Sequence, residues 1–183
     1  QYLYRIFFYD CPPSEKVVYH PLTQKSVSLK KTALYEWSNG FHKALASKRK
    51  VALRMGELLE SAAGYILKPD AVNKLCRSEM SIGDLQESDF YLDIQQKGVD
   101  MRIGLDIASL AYKRLVNRIV LIAGDSDFVP AAKHARREGI DFVLDPMWQP
   151  IKPSLNEHID GLKSCVAKPP ENKKDSLYKV LDA

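Results

Sequence analysis

The chain has 183 residues, of which 45% are apolar and 27% charged, with a formal net charge of +4. These values are ordinary for a folded globular protein, and the length favours one domain with room for a tail. No apolar run approaches the roughly 20 residues that a membrane-spanning helix needs, so no membrane partner is expected. The mild positive charge is compatible with a polyanionic partner but does not require one. Three widely separated cysteines match no zinc-binding spacing, which favours a reducing, cytoplasmic location.

The first half of the chain alternates β-prone, polar and helical segments. The aromatic run Leu3–Tyr9 predicts a strand that stops at Asp10, because Pro12 and Pro13 follow almost at once. Residues 14–31 are polar and predict a loop. Apolar residues at helical spacing predict a helix over residues 32–47, and residues 51–56 predict a further strand. Residues 60–90 carry turn signals without a clear period and receive no assignment.

The second half shows a clearer pattern. A continuous apolar run at 118–123 predicts a strand buried on both faces in a parallel sheet. A helix over 128–138 is expected to end at Gly139, and residues 140–144 predict the next strand. A last helix is expected over 153–162 with Ser154 as its N-cap, followed by a linker or tail. A further helix is predicted before these elements, beginning near Asp100. Its apolar face consists of Ile103, Ile107, Leu110, Ala111 and Leu115.

This order of elements predicts an α/β fold in which helices connect parallel strands. In such sheets, ligands bind beyond the carboxyl ends of the strands. The turn Gly124–Asp127 follows one strand and Asp145 follows the next, so both are expected at that edge. Because Asp100 opens the preceding helix, which must pack beside the same strand, its carboxylate is expected near those of Asp125 and Asp127.

Converging carboxylates repel one another unless a cation lies between them, and their hard oxygen atoms suit Mg²⁺ or Mn²⁺. A metal held in this way activates water and stabilises charge on a transferring phosphoryl group. Structural roles compete with this interpretation for each residue taken singly. Asp127 or Ser126 could cap the helix that follows, Asp100 could cap its own helix, and Asp125 could shape the turn. Helix capping alone does not need both aspartates of Asp-Ser-Asp, so the three together favour a site.

A basic segment follows the first predicted helix. Lys43, Lys48, Arg49, Lys50 and Arg54 lie close in sequence to two aromatic residues, Trp37 and Phe41. One interpretation is a surface that binds RNA phosphates, with aromatic rings that stack bases. The alternative places Trp37 and Phe41 in the core, with the charges facing solvent. The core interpretation is favoured for the aromatic residues, whereas the basic residues are retained as candidates for nucleic-acid binding.

Two segments of the chain resemble a known family. Residues 96–106, QKGVDMRIGLD, are similar to the "KGVD…LD" segment of NYN domains, and residues 123–130, AGDSDFVP, to their "SGDSDF-P" segment. The spacing between the two segments also fits. Residues 3–13 and 51–58 resemble the bacterial LabA-type branch. NYN domains belong to the PIN-like nuclease group, and the resemblance implies a Rossmann-like three-layer sandwich with a mostly parallel central sheet.

Carried over by position, the resemblance implies that Asp100, Asp125 and Asp127 are catalytic, metal-binding acids. Asp106 and Ser126 are second-tier candidates, since Asp106 lies about 240° around the helix from Asp100. The resemblance also implies an NYN domain over residues 1–163, with variable insert regions at 14–50 and 60–95 and a polar tail at 164–183. The family's first strand, which ends in an aspartate, is expected upstream of residue 1, so Asp10 is assigned to the second strand.

The leading functional hypothesis is therefore a ribonuclease dependent on Mg²⁺ or Mn²⁺ that hydrolyses single-stranded RNA. A second hypothesis is an NYN module without catalysis that binds RNA or a protein partner, and a homodimer is compatible with either. A third is a phosphatase of the haloacid dehalogenase type. That chemistry needs an Asp-x-Asp pair at the end of an early strand, which Tyr9-Asp10-Cys11 does not supply.

Overall fold

The computed structural model describes residues 2–169, which form two compact units. One unit consists of residues 5–99, and the other of residues 2–4 and 100–169. Both contain helices and short parallel strand pairs, so the predicted α/β class is confirmed. Of the predicted tail, residues 170–183 lie outside the described residues. None of the helices between residues 2 and 169 has the length and apolarity that spanning a bilayer requires.

The unit of residues 5–99 contains two helices and eight strands. In chain order they are β1 (Ile6–Asp10), β2 (Val17–Tyr19), β3 (Ser26–Ser28), α1 (Ala33–Ala46), β4 (Val51–Met55), β5 (Glu57–Leu58), β6 (Gly64–Leu67), α2 (Pro69–Cys76), β7 (Phe90–Asp93) and β8 (Gln96–Lys97). Strands β1 and β4 are parallel and are connected through α1. The remaining strands form three antiparallel pairs, β2–β3, β5–β8 and β6–β7.

Helix α1 confirms the prediction for residues 32–47. Thr32 is its N-cap, and the Thr32 hydroxyl oxygen accepts a hydrogen bond of 3.2 Å from the backbone N–H of Tyr35. The helix packs against β1 through Phe41, whose ring meets that of Phe8 edge-on at a centroid distance of 5.5 Å. This contact joins the helix to the parallel pair that it connects.

The prediction of a loop over residues 14–31 is wrong in part, because β2 and β3 form a short antiparallel hairpin there. Val18 of β2 is buried. In the turn, His20 Nδ1 accepts hydrogen bonds from the backbone N–H groups of Leu22 and Thr23, and its ring packs against Tyr65 at 4.5 Å. Three-residue strands are too short to show an alternating pattern, so this hairpin depends on tertiary packing.

Gly56 occupies the tightest glycine position of this unit. A Cβ atom there would lie 2.8 Å from the Lys97 carbonyl oxygen, 2.8 Å from Val99 Cγ2 and 3.0 Å from Cys11 Sγ. These distances are shorter than van der Waals contact allows. The absence of a side chain at Gly56 therefore lets the chain that leaves β4 approach the segment after β8.

The second unit contains three helices and three strands. They are α3 (Val99–Tyr112), β9 (Arg118–Ile122), α4 (Val129–Arg137), β10 (Asp141–Asp145), α5 (Pro153–Asn156) and β11 (Gly161–Leu162). The strands form one parallel sheet in the order β11-β10-β9. Helix α4 ends before Gly139, whose φ of 81° lies in the left-handed region that favours glycine at a helix C-terminus, as predicted. The core of the unit includes Ile107, Ala111, Phe128, Ala132, Phe142, Leu144 and Leu155.

Two predictions for this unit are wrong. Strand β9 is not buried on both faces: it is an edge strand of the sheet, and Val120 and Ile122 are exposed. The predicted helix over 153–162 is short, with Lys152 rather than Ser154 as its N-cap, and β11 follows it. The physical reason is tertiary, because Gly161 pairs with Val143 and the Asp160 carboxylate accepts a hydrogen bond of 3.0 Å from the backbone N–H of Phe142.

Candidate functional site

The turn that follows β9 carries two of the predicted site residues. Asp125 is the N-cap of a 3₁₀ turn over Ser126–Phe128, and Asp125 Oδ1 accepts a hydrogen bond of 3.0 Å from the backbone N–H of Asp127. Phe128 is buried and anchors the turn, whereas Asp125 and Asp127 are exposed. The local fold thus directs two carboxylates to the surface at the carboxyl end of a parallel strand. We refer to residues 124–127 as the acidic turn.

The next strand ends at the same edge of the sheet. Ile122 of β9 pairs in register with Asp145 of β10, as the sequence predicted for these two strand ends. Asp145, however, is buried, and both of its oxygen atoms accept hydrogen bonds, from the backbone N–H of Met147 at 2.9 Å and of Cys165 at 3.0 Å. These two bonds hold the pKa of the Asp145 carboxyl below its ordinary value of 3.8. Asp145 therefore has a structural role.

The loop between β10 and α5, residues 146–152, lies beside the acidic turn. A Cβ atom at Gly124 would be 3.7 Å from Gln149 Cβ, and Lys152 Nζ donates a hydrogen bond of 3.1 Å to Ser126 Oγ. The sequence gives no signal for Lys152 at this position, since 26 residues separate it from Ser126 and no motif connects them. An exposed cation therefore stands next to the two carboxylates of the turn.

Asp100 and Asp106 both lie on α3, with different surroundings. Asp100 is exposed in the first turn of the helix, where a negative charge is favourable for the helix dipole. Asp106 is half-buried. Within residues 2–169, no three acidic, histidine or cysteine side chains are grouped so that they could hold a metal ion. Asp100 therefore does not join Asp125 and Asp127 in a three-ligand cluster.

Of the five basic candidates, three are exposed, and the other two are half-buried and also contribute to the fold. Lys43, Lys48 and Arg49 are exposed. Lys50 has a φ of 67°, and its carbonyl oxygen accepts a hydrogen bond of 2.8 Å from the backbone N–H of Ile6. The Arg54 guanidinium lies over the Phe7 ring, 5.1 Å from its centroid. Lys50 and Arg54 thus support strands β1 and β4.

The preferred assignment of both aromatic residues of α1 to the core is wrong for Trp37. Trp37 is 63% exposed, and its ring stacks on the half-buried Phe41 with a centroid distance of 5.1 Å. Helical spacing predicted that the two rings share a face of α1. It did not predict how far that face reaches into solvent.

The resemblance to NYN domains assigns Asp10 to the end of a second strand. In the structure it ends β1, the strand parallel to β4, and its side chain is 34% exposed. Asp10 Oδ1 accepts a hydrogen bond of 2.8 Å from the backbone N–H of Cys11, and Asp10 Oδ2 lies 2.9 Å from Nε2 of the buried His42. The sequence signal for this residue was present, namely an aspartate at the carboxyl end of a strand.

Comparison with known proteins identifies the family to which the chain belongs. The family model of the NYN domain matches residues 41–150, which is more than half of the chain. The chain belongs to the NYN domain family. This range contains α3, the acidic turn and the basic segment, and NYN domains are PIN-like, nuclease-type domains that act on RNA. No curated protein and no solved structure matches the chain. Assignment to the LabA-type branch stays a prediction.

Proposed function

We propose that this NYN domain is a metal-dependent ribonuclease whose acidic turn carries the reaction. The observation on which the proposal mainly rests is the pair of exposed carboxylates, Asp125 and Asp127, at the carboxyl end of a parallel strand. That edge is where α/β sheets bind their ligands. Membership of a nuclease-type family supports the same assignment. The substrate class is RNA, with single-stranded RNA as the expected form.

The donor set of the turn fits Mg²⁺ or Mn²⁺. Both cations prefer carboxylate oxygen atoms, and Mg²⁺ commonly uses one or two carboxylates together with water and substrate phosphate. The cap bond occupies Asp125 Oδ1, so Asp125 Oδ2 and the Asp127 carboxylate would supply the ligands. Asp100 is proposed as a further acidic residue of the reaction, with Asp106 as a second-tier candidate. Such an ion supplies a nucleophilic water at neutral pH and stabilises charge on the phosphoryl group.

The remaining polar groups around the turn have separate roles in this proposal. The exposed Lys152 ammonium would exchange the Ser126 hydroxyl for a phosphate oxygen of the RNA backbone. Ser126 then regains a free hydroxyl that can orient water or phosphate. In the other unit, Lys43, Lys48 and Arg49 would contact phosphates without reading the sequence of the RNA.

A second candidate function is RNA binding without cleavage. It is favoured by one observation, that no three-ligand metal cluster forms among the described residues. A domain of this kind would use the same basic residues but would not depend on the carboxylates of the acidic turn. The two candidates therefore differ in what a charge-removing substitution at Asp127 does.

The test is cleavage of a labelled single-stranded RNA by the full chain in Mn²⁺ or Mg²⁺, compared with the same reaction in EDTA. Asp127→Asn removes one charge with little change of shape, and we expect a loss of activity on the order of a hundredfold. Asp70→Asn is the matched control, because Asp70 is also an exposed aspartate in the first turn of a helix. Equal cleavage by the Asp127 variant and the parent protein, or cleavage that persists in EDTA, would contradict the proposal.

A further inference from the structure

Trp148 stands in the loop beside the acidic turn with its ring held in place. Its indole Nε1–H donates a hydrogen bond of 2.8 Å to the Val166 carbonyl oxygen, and its backbone N–H donates one of 3.2 Å to Ser164 Oγ. The residue nevertheless remains 48% exposed. Because the single polar atom of the side chain is already bonded, the exposed part is apolar ring surface.

The backbone at this position is in an uncommon conformation. Met147 and Trp148 have φ angles of 49° and 67°, in the left-handed region where bulky side chains are disfavoured. The buried Asp145 carboxylate holds the start of this segment through the Met147 N–H. Strained backbone persists where its surroundings enforce it, and it is concentrated at ligand sites. Here the enforced conformation presents an aromatic ring to solvent instead of burying it.

The loop also fixes where this ring lies relative to the proposed reaction. Gln149, the next residue, approaches Gly124 so closely that a Cβ atom there would lie 3.7 Å from Gln149 Cβ. Adding standard bond and Cα–Cα lengths to this distance, the Cα atom of Trp148 is within about 11 Å of the Gly124 Cα atom. Lys152, at the other end of the loop, contacts Ser126. The loop thus places the Trp148 ring and the Lys152 ammonium beside the same acidic turn.

We propose that Trp148 is a base-stacking residue, which binds an unpaired nucleobase of single-stranded RNA while Lys152 binds an adjacent phosphate. This inference rests on the proposed function. Stacking on aromatic side chains is how proteins hold splayed-out bases, and it tolerates every base because each has a π face. A paired base does not expose that face. The ring would therefore restrict binding at the acidic turn to unpaired segments of RNA. It would also fix which nucleotide of the RNA strand lies at the turn.

The experiment measures RNA binding apart from cleavage. The full chain carries Asp127→Asn and is kept in EDTA, so that the RNA stays intact, and Trp37→Phe leaves Trp148 as the one tryptophan. An oligouridylate of about eight nucleotides is the probe. We expect the probe to quench Trp148 fluorescence and the corresponding duplex RNA to do so much less.

The affinity of the same probe is then compared between variants by fluorescence anisotropy of labelled RNA. We expect Trp148→Leu to weaken binding roughly five- to hundredfold and Trp148→Phe to weaken it less, because a smaller ring remains. Tyr112→Leu is the matched control, since Tyr112 is a 74% exposed aromatic residue of the same unit. It is expected to leave the affinity unchanged. Circular dichroism confirms that each variant is folded.

The outcomes separate the two proposals. RNA that binds without quenching Trp148, or with the same affinity to Trp148→Leu, overturns the stacking role. The quenching experiment keeps Trp148 itself. It therefore still tests the stacking role if Trp148→Leu or Trp148→Phe fails to fold. If quenching and the loss of affinity are both found but cleavage is independent of Asp127, the stacking role stands and the ribonuclease proposal fails.

Discussion

The carboxylate of Asp125 accepts a hydrogen bond of 3.0 Å from the backbone N–H of Asp127. One member of the acidic pair thus fixes the conformation that presents the other. From the sequence, a structural role in the turn and a catalytic role are competing explanations of Asp125. In the structure Oδ1 caps the turn and Oδ2 takes no part in that bond, so the structural role does not conflict with the catalytic role that we propose. Substitutions can separate the two roles.

We expect Asp125→Asn to retain the stability of the protein, because the asparagine Oδ1 can accept the same hydrogen bond from the Asp127 N–H. Asp125→Ala removes the acceptor and should lower the free energy of unfolding by about 1 kcal/mol. Both changes should abolish metal-dependent cleavage, since both remove the charge. Urea unfolding and the nuclease assay measure the two effects. A stable, active Asp125→Ala variant would show that the turn needs neither the cap nor the carboxylate.

Asp145 should make the stability of the protein sensitive to acid. Its pKa in the folded state is held below the ordinary 3.8 by hydrogen bonds from the Met147 and Cys165 N–H groups. Its contribution is thus fully present above pH 3.8 and is lost as the pH falls through the lower folded-state pKa. We expect Asp145→Asn to lower the melting temperature at pH 7, because the asparagine NH₂ group would face a backbone donor. The difference between variant and parent should shrink near pH 3.

The control for this prediction is Asp70→Asn, which replaces an exposed aspartate. It should change the melting temperature little at either pH. Thermal unfolding followed by circular dichroism across this pH range is the measurement. A difference between Asp145→Asn and the parent that is the same at pH 3 and pH 7 would count against a specific role for the ionised carboxylate.

Gly56→Ala should destabilise the unit of residues 5–99. The added methyl group would lie 2.8 Å from the backbone oxygen of Lys97, which cannot move without disturbing the β5–β8 pair. Overpacking of this kind costs typically 1–3 kcal/mol. The matched change is Gly64→Ala, because a Cβ atom at Gly64 meets nothing within 4 Å. Urea unfolding of both variants compares the two glycines, and equal stability would show that the chain at Gly56 relaxes freely.

Several elements could be predicted because local patterns determine them. The helical spacing of apolar residues in α1 and α3, and Gly139 after α4, each act within a few residues of the chain. The same holds for the acidic turn, where a strand, a small residue and two aspartates follow one another. The family motifs at residues 96–106 and 123–130 also cover the start of α3 and the acidic turn.

The features that could not be predicted depend on contacts between distant residues. Lys152 reaches Ser126 from 26 residues away, and β11 forms because Gly161 finds a parallel partner at Val143. Exposure is equally non-local. The apolar run of β9 had the composition of a doubly buried strand, but Val120 and Ile122 are exposed at the edge of the sheet. The composition of a strand indicates how much burial it favours, whereas the neighbouring elements determine how much of it is buried.

Two hydrogen bonds join the ends of the segment of residues 145–166. The Cys165 backbone N–H donates to the Asp145 carboxylate, and the Trp148 indole N–H donates to the Val166 carbonyl oxygen. We expect a protein shortened after Lys163, which lacks Cys165 and Val166, to be cleaved faster in limited proteolysis than one shortened after Lys168, which retains both. These bonds also explain why the short segment after β11 matters. Val166 in that segment accepts the hydrogen bond that holds the Trp148 ring beside the acidic turn.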